Sequence, residues 1–274
     1  MVRTRVRFAS LLALSAALTA LVAGCGNGGA GGDSDTASKD GTAGRHGGRP
    51  VVVVTTTWEG AFAKAAGAQD VEVIVPQSVH HAPDYDPKPS DLAAVGKADF
   101  VLYAPFEPYA AKIKEAAGSK AELVEVDLDN DADKVKAEVA RLGGLFGTEE
   151  SAARWTATFD AAYAKLSKEV QDARPGGKSP AVVSQVFTTW SAKLAGAAPV
   201  GTYGPEAVTP AQLAELSGKK PSLVLDNAHM STGTVLPDSG ARQIEIVNYP
   251  GADLDLLTVY RNAAAELEKA MGGS

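Results

Sequence analysis

Residues 75–92, with the sequence VPQSVHHAPDYDPKPSDL, bring together side-chain types that bind metal ions. The chain has only four histidines, and His80 and His81 stand next to each other in this segment. Acidic residues and prolines follow at once, and the prolines restrict the backbone around them. Neutral imidazole and carboxylate oxygen are ordinary ligands of Zn²⁺, and Mn²⁺ and Fe²⁺ accept similar sets. We therefore predict that His80 or His81 binds a divalent transition metal.

Further imidazole and carboxylate side chains follow predicted strands elsewhere in the chain. Glu59 and Glu107 come after strands in the first half, and His229 comes after a strand in the second half. Ligands of open α/β sheets bind beyond the carboxyl ends of the strands. We therefore predict Glu107 and His229 as ligands and Glu59 as a possible additional one. Asp226 is predicted to accept a hydrogen bond that orients His229, as is common at metal sites.

Glu59 and Glu107 also have a simpler interpretation. The helix predicted over residues 58–67 starts beside Glu59, and the helix predicted over residues 107–118 starts at Glu107. The helix dipole favours an acidic side chain in the first turn. From the sequence alone, both interpretations stay open.

The elements that must position these residues alternate along the chain. Apolar, mostly β-branched runs at 51–56, 71–76, 99–104 and 122–127 are typical of buried parallel strands. Helical segments lie between them, which indicates a parallel sheet covered on both faces. Residues 149–173 contain no glycine or proline and predict one helix about 37 Å long. After this helix the alternation resumes.

We predict an α/β fold with two lobes, each a mainly parallel sheet flanked by helices. The first lobe is predicted over residues 50–148, the linking helix over 149–174 and the second lobe over 175–274. A cleft between two lobes is a common place for a ligand, so the candidate ligands are expected to converge there.

The residues before this fold are predicted to direct the protein out of the cytoplasm. Arginines and an apolar run ending in Leu-Val-Ala-Gly-Cys are typical of a lipoprotein signal peptide over residues 1–24. Cys25 is the only cysteine, so no disulfide forms within one chain, and lipidation gives this thiol a role. The glycine-rich residues 25–49 predict a flexible tether. We therefore expect an extracytoplasmic protein that is lipid-anchored to the cell membrane.

Composition argues against several other classes of function. The formal net charge is −7 and no basic patch with aromatic residues is visible, so nucleic acid is not expected as a partner. There is no cysteine nucleophile, no phosphate-binding loop and no Gly-x-Ser-x-Gly turn. No catalytic residue is therefore predicted, and we do not expect an enzyme.

The segment YDPKPSDLAAVGKADFVLYAPFEPY, residues 85–109, resembles the first lobe of a known family. The Pro-Ser-Asp-Leu and Ala-Asp-Phe-Val-Leu-Tyr segments are similar to those of the zinc- and manganese-specific solute-binding lipoproteins of bacterial ABC importers. The resemblance covers most of residues 50–274. It implies a rigid two-lobe protein that captures a divalent metal as cargo, Zn²⁺ first and then Mn²⁺ or Fe²⁺, and delivers it to a permease in the membrane. We expect the protein to be a monomer.

The chain departs from the family pattern at two positions. Pro83 stands directly before Asp84-Tyr85, where members often have a histidine. Gln185 stands at the end of the first strand of the second lobe, where members also have a histidine. The resemblance then implies a ligand set of His80 or His81 with Glu107 and His229. Gln185 is a possible further ligand.

Two other functions remain open from the sequence. A binding protein of the same shape could hold an organic ligand or a metal chelate, with aromatic side chains lining the cleft. A metal-dependent hydrolase could use the same ligands with Glu59 or Glu107 as the base. The aromatic candidates near predicted strand ends are Trp58, Phe106, Tyr109, Phe187, Trp190 and Tyr249.

Overall fold

The computed structural model describes residues 49–76, 79, 82–231 and 233–272. The predicted signal peptide and almost all of the predicted tether, including Cys25, lie outside these residues, and so do His80 and His81. Predictions about these positions therefore stay predictions.

The first sheet is built from parallel strands with α-helices between them. Its strand order is β2-β1-β3-β4, so β1 and β3 lie side by side at its centre. The central strands Val-Val-Val-Val and Phe-Val-Leu-Tyr are almost entirely buried, which explains their continuous apolar sequence. The elements are β1 (Val51–Val54), α1 (Thr57–Ala65), β2 (Asp70–Val73), α2 (Pro89–Val95), β3 (Phe100–Tyr103), α3 (Ala110–Ala117), β4 (Glu122–Glu125) and α4 (Ala132–Phe146).

The second sheet repeats this arrangement with the order β6-β5-β7-β8, again with all neighbours parallel. Its strand β6 was not predicted from the sequence. The segment Pro-Val-Gly-Thr-Tyr lies at the edge of the sheet and is only partly buried, so it lacks an apolar run. The elements are β5 (Val182–Gln185), α6 (Thr189–Leu194), β6 (Pro199–Tyr203), α7 (Pro210–Gly218), β7 (Leu223–Asn227), β8 (Arg242–Ile246) and α8 (Leu256–Gly272).

One long helix, α5 (Glu149–Asp172), links the two sheets. Its 24 residues agree with the predicted 25-residue rod to within one residue. Phe159 on this helix is completely buried and packs edge-on against Tyr260 of α8, with 5.0 Å between ring centroids. The predicted fold of two α/β lobes with one linking helix is therefore confirmed.

The two lobes share their largest hydrophobic core. One continuous cluster of buried side chains includes Val52 and Leu102 of the first sheet, Leu225 of the second sheet, and residues of α5 and α8. Polar contacts add to it, since the Thr57 hydroxyl donates to the Pro250 carbonyl at 2.9 Å. The lobes are thus held together by packing as well as by the covalent link.

Among the described residues, no helix combines the length and the apolar character that a membrane crossing requires.

Candidate functional site

Glu59 is fixed at the start of α1 by a capping box with Thr56. The Thr56 backbone N–H donates to Glu59 Oε2 at 3.0 Å, and the Thr56 hydroxyl donates to the same oxygen. This arrangement satisfies backbone donors at the helix start, as the simpler interpretation of Glu59 required. The side chain is completely buried, however, and its other oxygen, Oε1, has no hydrogen-bond partner among the described residues. Capping therefore explains the contacts of only one of the two carboxylate oxygens.

Glu107 lies in the turn that follows β3. The helix predicted to begin at Glu107 begins at Ala110, so the carboxylate does not serve the first turn of α3. It folds back on its own loop instead: the Ala104 backbone N–H donates to Oε2 at 3.0 Å and the Tyr109 hydroxyl donates to Oε1 at 2.9 Å. Only 6% of Glu107 is exposed. The turn therefore holds a carboxylate in the interior beyond the end of a central strand.

The carboxyl groups of Glu59 and Glu107 lie close enough to repel each other. Burial raises the pKa of Glu59. Burial first, and then the Glu59 carboxyl, raise the pKa of Glu107 to about 8. The side chain of Thr55 lies beside both groups and favours their charged forms, although its hydroxyl makes no hydrogen bond of ordinary geometry. The pair therefore holds a proton at neutral pH unless a cation compensates its charge.

Tyr249 of the second lobe lies next to this carboxyl pair. Burial first, and then the charges of Glu59 and Glu107, raise the pKa of Tyr249 to about 12. Its ring packs edge-on against Trp58 of the first lobe, with 4.9 Å between ring centroids. On the side of the second lobe it packs against His229 at 4.5 Å. Tyr249 therefore connects the carboxyl pair of one lobe with the histidine of the other.

His229 is held just after β7 by its backbone. Its N–H donates to the side-chain oxygen of Asn227 at 3.0 Å, which leaves the imidazole free of that turn. Burial lowers the pKa of His229, so the imidazole is neutral at physiological pH. The neutral form is the one that coordinates a metal.

The structure places the predicted ligands in two groups. Glu107 is paired with Glu59, whereas His229 is packed on the Tyr249 ring and its pKa reflects burial alone. Within the described part of the chain, no three His, Cys, Asp or Glu side chains are arranged to hold a metal ion. His80 and His81, which the prediction placed in the ligand set, lie outside that part. The ligand set therefore stays a prediction.

Asp226 and Gln185 lie at the ends of the neighbouring strands β7 and β5. The Asp226 carboxylate accepts hydrogen bonds from the Tyr203 hydroxyl at 2.6 Å and from the Gln243 amide at 3.3 Å. Gln185 accepts the Phe187 N–H at 2.6 Å, while its buried Nε2 has no partner among the described residues. Both side chains line one small cavity of about 20 Å³. Asp226 is thus already engaged by neighbours other than His229.

Sequence reasoning considered Glu59 and Glu107 one at a time and did not predict that they form a pair. A signal for the pair was present, because Glu59 follows the end of β1 by five residues and Glu107 follows the end of β3 by four. The two strands are neighbours in the sheet, and their carboxyl ends lie at the same edge. The missing information was the strand order, which the sequence does not state.

Part of the first lobe matches a known protein family. Residues 52–143 match the sequence model of the ZnuA family, described as the periplasmic component A of a zinc-uptake complex. The match runs from β1 into α4 and includes Glu59 and Glu107. No curated protein sequence matches the chain.

Solved structures share the fold over most of the chain. The laminin-binding protein Lbp of Streptococcus pyogenes has 16% sequence identity and a TM-score of 0.60, over 81% of this chain and 99% of its own. A zinc-bound deletion mutant of ZnuA has 17% identity and a TM-score of 0.60, over 82% and 99%. The solute-binding protein FpvC of Pseudomonas aeruginosa, in complex with Mn²⁺, has 14% identity and a TM-score of 0.61, over 81% and 98%.

At these sequence identities, the solved structures establish the fold. The family match in the first lobe confirms the resemblance carried by the Pro-Ser-Asp-Leu and Ala-Asp-Phe-Val-Leu-Tyr segments. Residues 52–143 of this chain are similar to the ZnuA zinc-uptake family, and the chain has the two-lobe fold of metal-binding solute-binding proteins.

Proposed function

We propose that this protein is the extracytoplasmic solute-binding component of an ABC importer and that it captures a divalent transition metal. Zn²⁺ is the proposed first cargo, followed by Mn²⁺ or Fe²⁺. The family match over residues 52–143 and the shared fold support this function. The observation that carries it within this chain is the buried pair of Glu59 and Glu107.

The negative charge of the buried Glu59 and Glu107 carboxylates must be compensated. The main influences on Glu107 are burial, the Glu59 carboxyl, the hydrogen bonds from Ala104 and Tyr109, and the polar side chain of Thr55. None of them brings a positive charge. An uncompensated buried carboxylate is costly, so it either keeps a proton or binds a cation. Glu59 Oε1 has no hydrogen-bond donor among the described residues and is free to coordinate. A divalent ion between the two carboxylates would compensate their charge and would give Glu59 Oε1 a partner.

The proposed ligand set combines this pair with imidazole. Glu107 and Glu59 supply oxygen from the first lobe, and His229 supplies nitrogen from the second lobe. His80 or His81 is proposed to complete the set from the loop after β2. Carboxylate and imidazole together suit Zn²⁺. The additional carboxylate oxygen also makes the set suitable for Mn²⁺ and Fe²⁺.

The finer parts of the proposal concern delivery. Cleavage after residue 24 and lipidation of Cys25 would hold the monomeric protein at the membrane surface, with residues 25–49 as a tether. The loaded protein would then dock on the membrane permease. The core shared by both lobes supports a rigid body that releases its cargo on docking.

Calorimetric titration of Zn²⁺ and Mn²⁺ into the purified, chelator-stripped chain tests the proposal. We expect one saturable site per chain, and a loss of affinity of roughly 100-fold in Glu107→Gln, as for changes that disturb a metal shell. Glu245→Gln changes an exposed glutamate on β8 and is the matched control, with unchanged affinity expected. Absence of saturable binding of either ion, or equal affinity in Glu107→Gln and wild type, would contradict the proposal.

A further inference from the structure

A cleft lined by residues of both lobes lies beside the proposed metal site and differs from it in chemistry. Its volume is about 540 Å³, which falls within the range of small-molecule sites. The first lobe contributes Trp58, the turn after β3 and residues 125–130 that end β4 and follow it. The second lobe contributes Val186 and Phe187, which follow β5, and Thr189 at the start of α6. Neither Glu59 nor Glu107 is among the residues that line it.

Two exposed phenylalanines line this cleft from opposite lobes. Phe106 is 65% exposed and Phe187 is 51% exposed, and both follow the carboxyl ends of central strands. Burial of a phenylalanine side chain is favourable by about 1.5–3 kcal/mol, so two such rings left in water at one cleft indicate a surface that a ligand covers. Trp58 adds a third aromatic ring to the wall.

The charge of the lining is negative and only partly compensated. Glu138 is bonded to Arg141, with 2.8 Å between Oε2 and Nε, and Asp129 is paired with Lys134 at 2.7 Å. Glu125 and Asp127 also line the cleft. Within the described part of the chain their carboxylates form no ion pair or side-chain hydrogen bond. Lys134, which is paired with Asp129, also attracts the charge of Asp127. The four carboxylates therefore outnumber Arg141 and Lys134 by two negative charges beside the aromatic rings.

We propose that this cleft binds a quaternary ammonium compound, with its alkylated cation between Phe106 and Phe187 and beside the carboxylates of Glu125 and Asp127. An alkylated ammonium ion has no hydrogen to donate and is weakly hydrated. It gains both from the negative face of an aromatic ring and from a nearby carboxylate. An apolar neutral molecule would leave this excess of negative charge uncompensated. A strongly hydrated inorganic ion would leave the phenylalanines in water.

This site would be distinct from the proposed metal site. The Trp58 indole N–H donates to the side-chain oxygen of Asn130 at 3.1 Å, and its ring packs against Tyr249, which stands next to the carboxyl pair. The indole therefore forms a wall between the two places. Occupation of the cleft requires no change in the groups proposed to hold the metal.

The test uses choline and its neutral isostere 3,3-dimethylbutan-1-ol, titrated calorimetrically into the full purified chain. We expect saturable choline binding and an affinity for the neutral alcohol that is lower by about tenfold, as a single cation–π and carboxylate contribution implies. Phe187→Ala and Asp127→Asn should each reduce choline affinity by about fivefold to tenfold. Val247→Ala, which changes an exposed apolar residue outside the cleft, should leave it unchanged.

The variants also separate this proposal from the metal site. Phe187→Ala should bind Zn²⁺ as tightly as wild type, because Phe187 is not among the proposed ligands. Absence of saturable choline binding, or equal affinity for choline and the neutral alcohol, would overturn the proposal. Choline affinity equal to that of wild type in both single variants, Phe187→Ala and Asp127→Asn, would also overturn it.

Discussion

The phenol ring of Tyr249 stands edge-on to the imidazole of His229, with 4.5 Å between the ring centroids and 70° between the ring planes. The same phenol ring contacts Trp58 of the first lobe and lies beside the buried carboxyl pair. One side chain therefore touches the second-lobe histidine and stands next to the first-lobe acids.

Tyr249→Ala should change the titration of His229. Removal of the ring exposes the imidazole, so its pKa, which burial lowers, should rise toward the ordinary value of 6.5. NMR titration of the His229 ring protons measures this change. Tyr249→Phe keeps the ring contact and serves as the control, with a pKa close to that of wild type. An unchanged His229 pKa in Tyr249→Ala would mean that other groups bury the imidazole.

Replacement of Glu59 by glutamine should stabilise the metal-free protein. The amide removes a buried carboxyl whose charge repels that of Glu107, and it keeps the oxygen that accepts hydrogen bonds in the capping box. We expect a gain of about 1 kcal/mol in the free energy of unfolding in urea near pH 8. The same variant should bind Zn²⁺ more weakly.

Glu59→Ala is the contrasting variant. It also removes the charge, but it loses the hydrogen bonds of the capping box and should be about 1 kcal/mol less stable than Glu59→Gln. Equal losses of stability in Glu59→Gln and Glu59→Ala would contradict repulsion between the carboxyls.

The stability of the metal-free protein should fall as the pH rises above neutrality. The pKa of Glu107 is raised to about 8, so the folded state holds its proton more tightly than the unfolded chain does. The stabilisation from this proton is complete below the ordinary carboxyl pKa of 4.5 and is lost as the pH rises through about 8. Urea unfolding between about pH 7 and pH 8.5 measures this loss. The interval avoids the titration of His229, because burial lowers the pKa of that residue from 6.5.

The double variant Glu59→Gln with Glu107→Gln is the control for this pH dependence. It has no carboxyl left to titrate at this place, so its stability should change less over the same pH interval. A parallel decline in the double variant and in wild type would assign the effect to other groups.

Changes at the histidines should reduce metal affinity without a large loss of stability. His229→Ala removes the proposed ligand of the second lobe, and the double change of His80 and His81 to alanine removes those of the loop. We expect each variant to lose roughly 100-fold in Zn²⁺ affinity. Competition with a chromophoric chelator measures these affinities. Wild-type affinity in either variant would remove that position from the ligand set.

Asn130→Ala should destabilise the contact between the lobes. The Asn130 side chain accepts the Trp58 indole N–H at 3.1 Å and donates to the Asn248 carbonyl at 3.0 Å, and only 2% of Asn130 is exposed. The alanine variant leaves both partners buried without a bond, at a cost of about 2–3 kcal/mol. Urea unfolding measures this cost. Asn262→Ala on the exposed face of α8 is the matched control and should change stability by less than about 0.5 kcal/mol.

Much of the fold followed from the sequence because local pattern and tertiary environment agree. The run Val51–Val54 is apolar because its strand is buried on both faces, and α5 lacks helix breakers over its whole length. Strand β6 was missed because Pro199 and Gly201 at a sheet edge carry no such pattern. The start of α3 was placed three residues early because Pro108 lies in the turn of Glu107 and resembles a proline in the first turn of a helix.

The candidate site was less predictable than the fold. The residue types at the ends of the strands indicated Glu59, Glu107 and His229 individually. Their grouping depends on the order of the strands and on where the Tyr249 ring lies, and both are long-range properties. Gln185 and Asp226 belong together for the same reason, since β5 and β7 are neighbours in the second sheet.

The repetition of one strand order in both sheets makes the chain resemble a dimer whose halves are joined by α5. In a true dimer, the affinity for a ligand held between the subunits falls as the protein is diluted. Here the covalent link keeps the two halves at a constant effective concentration, so the dissociation constant of a ligand bound between them would not depend on the protein concentration. That property would suit the proposed capture of a scarce metal ion outside the cell.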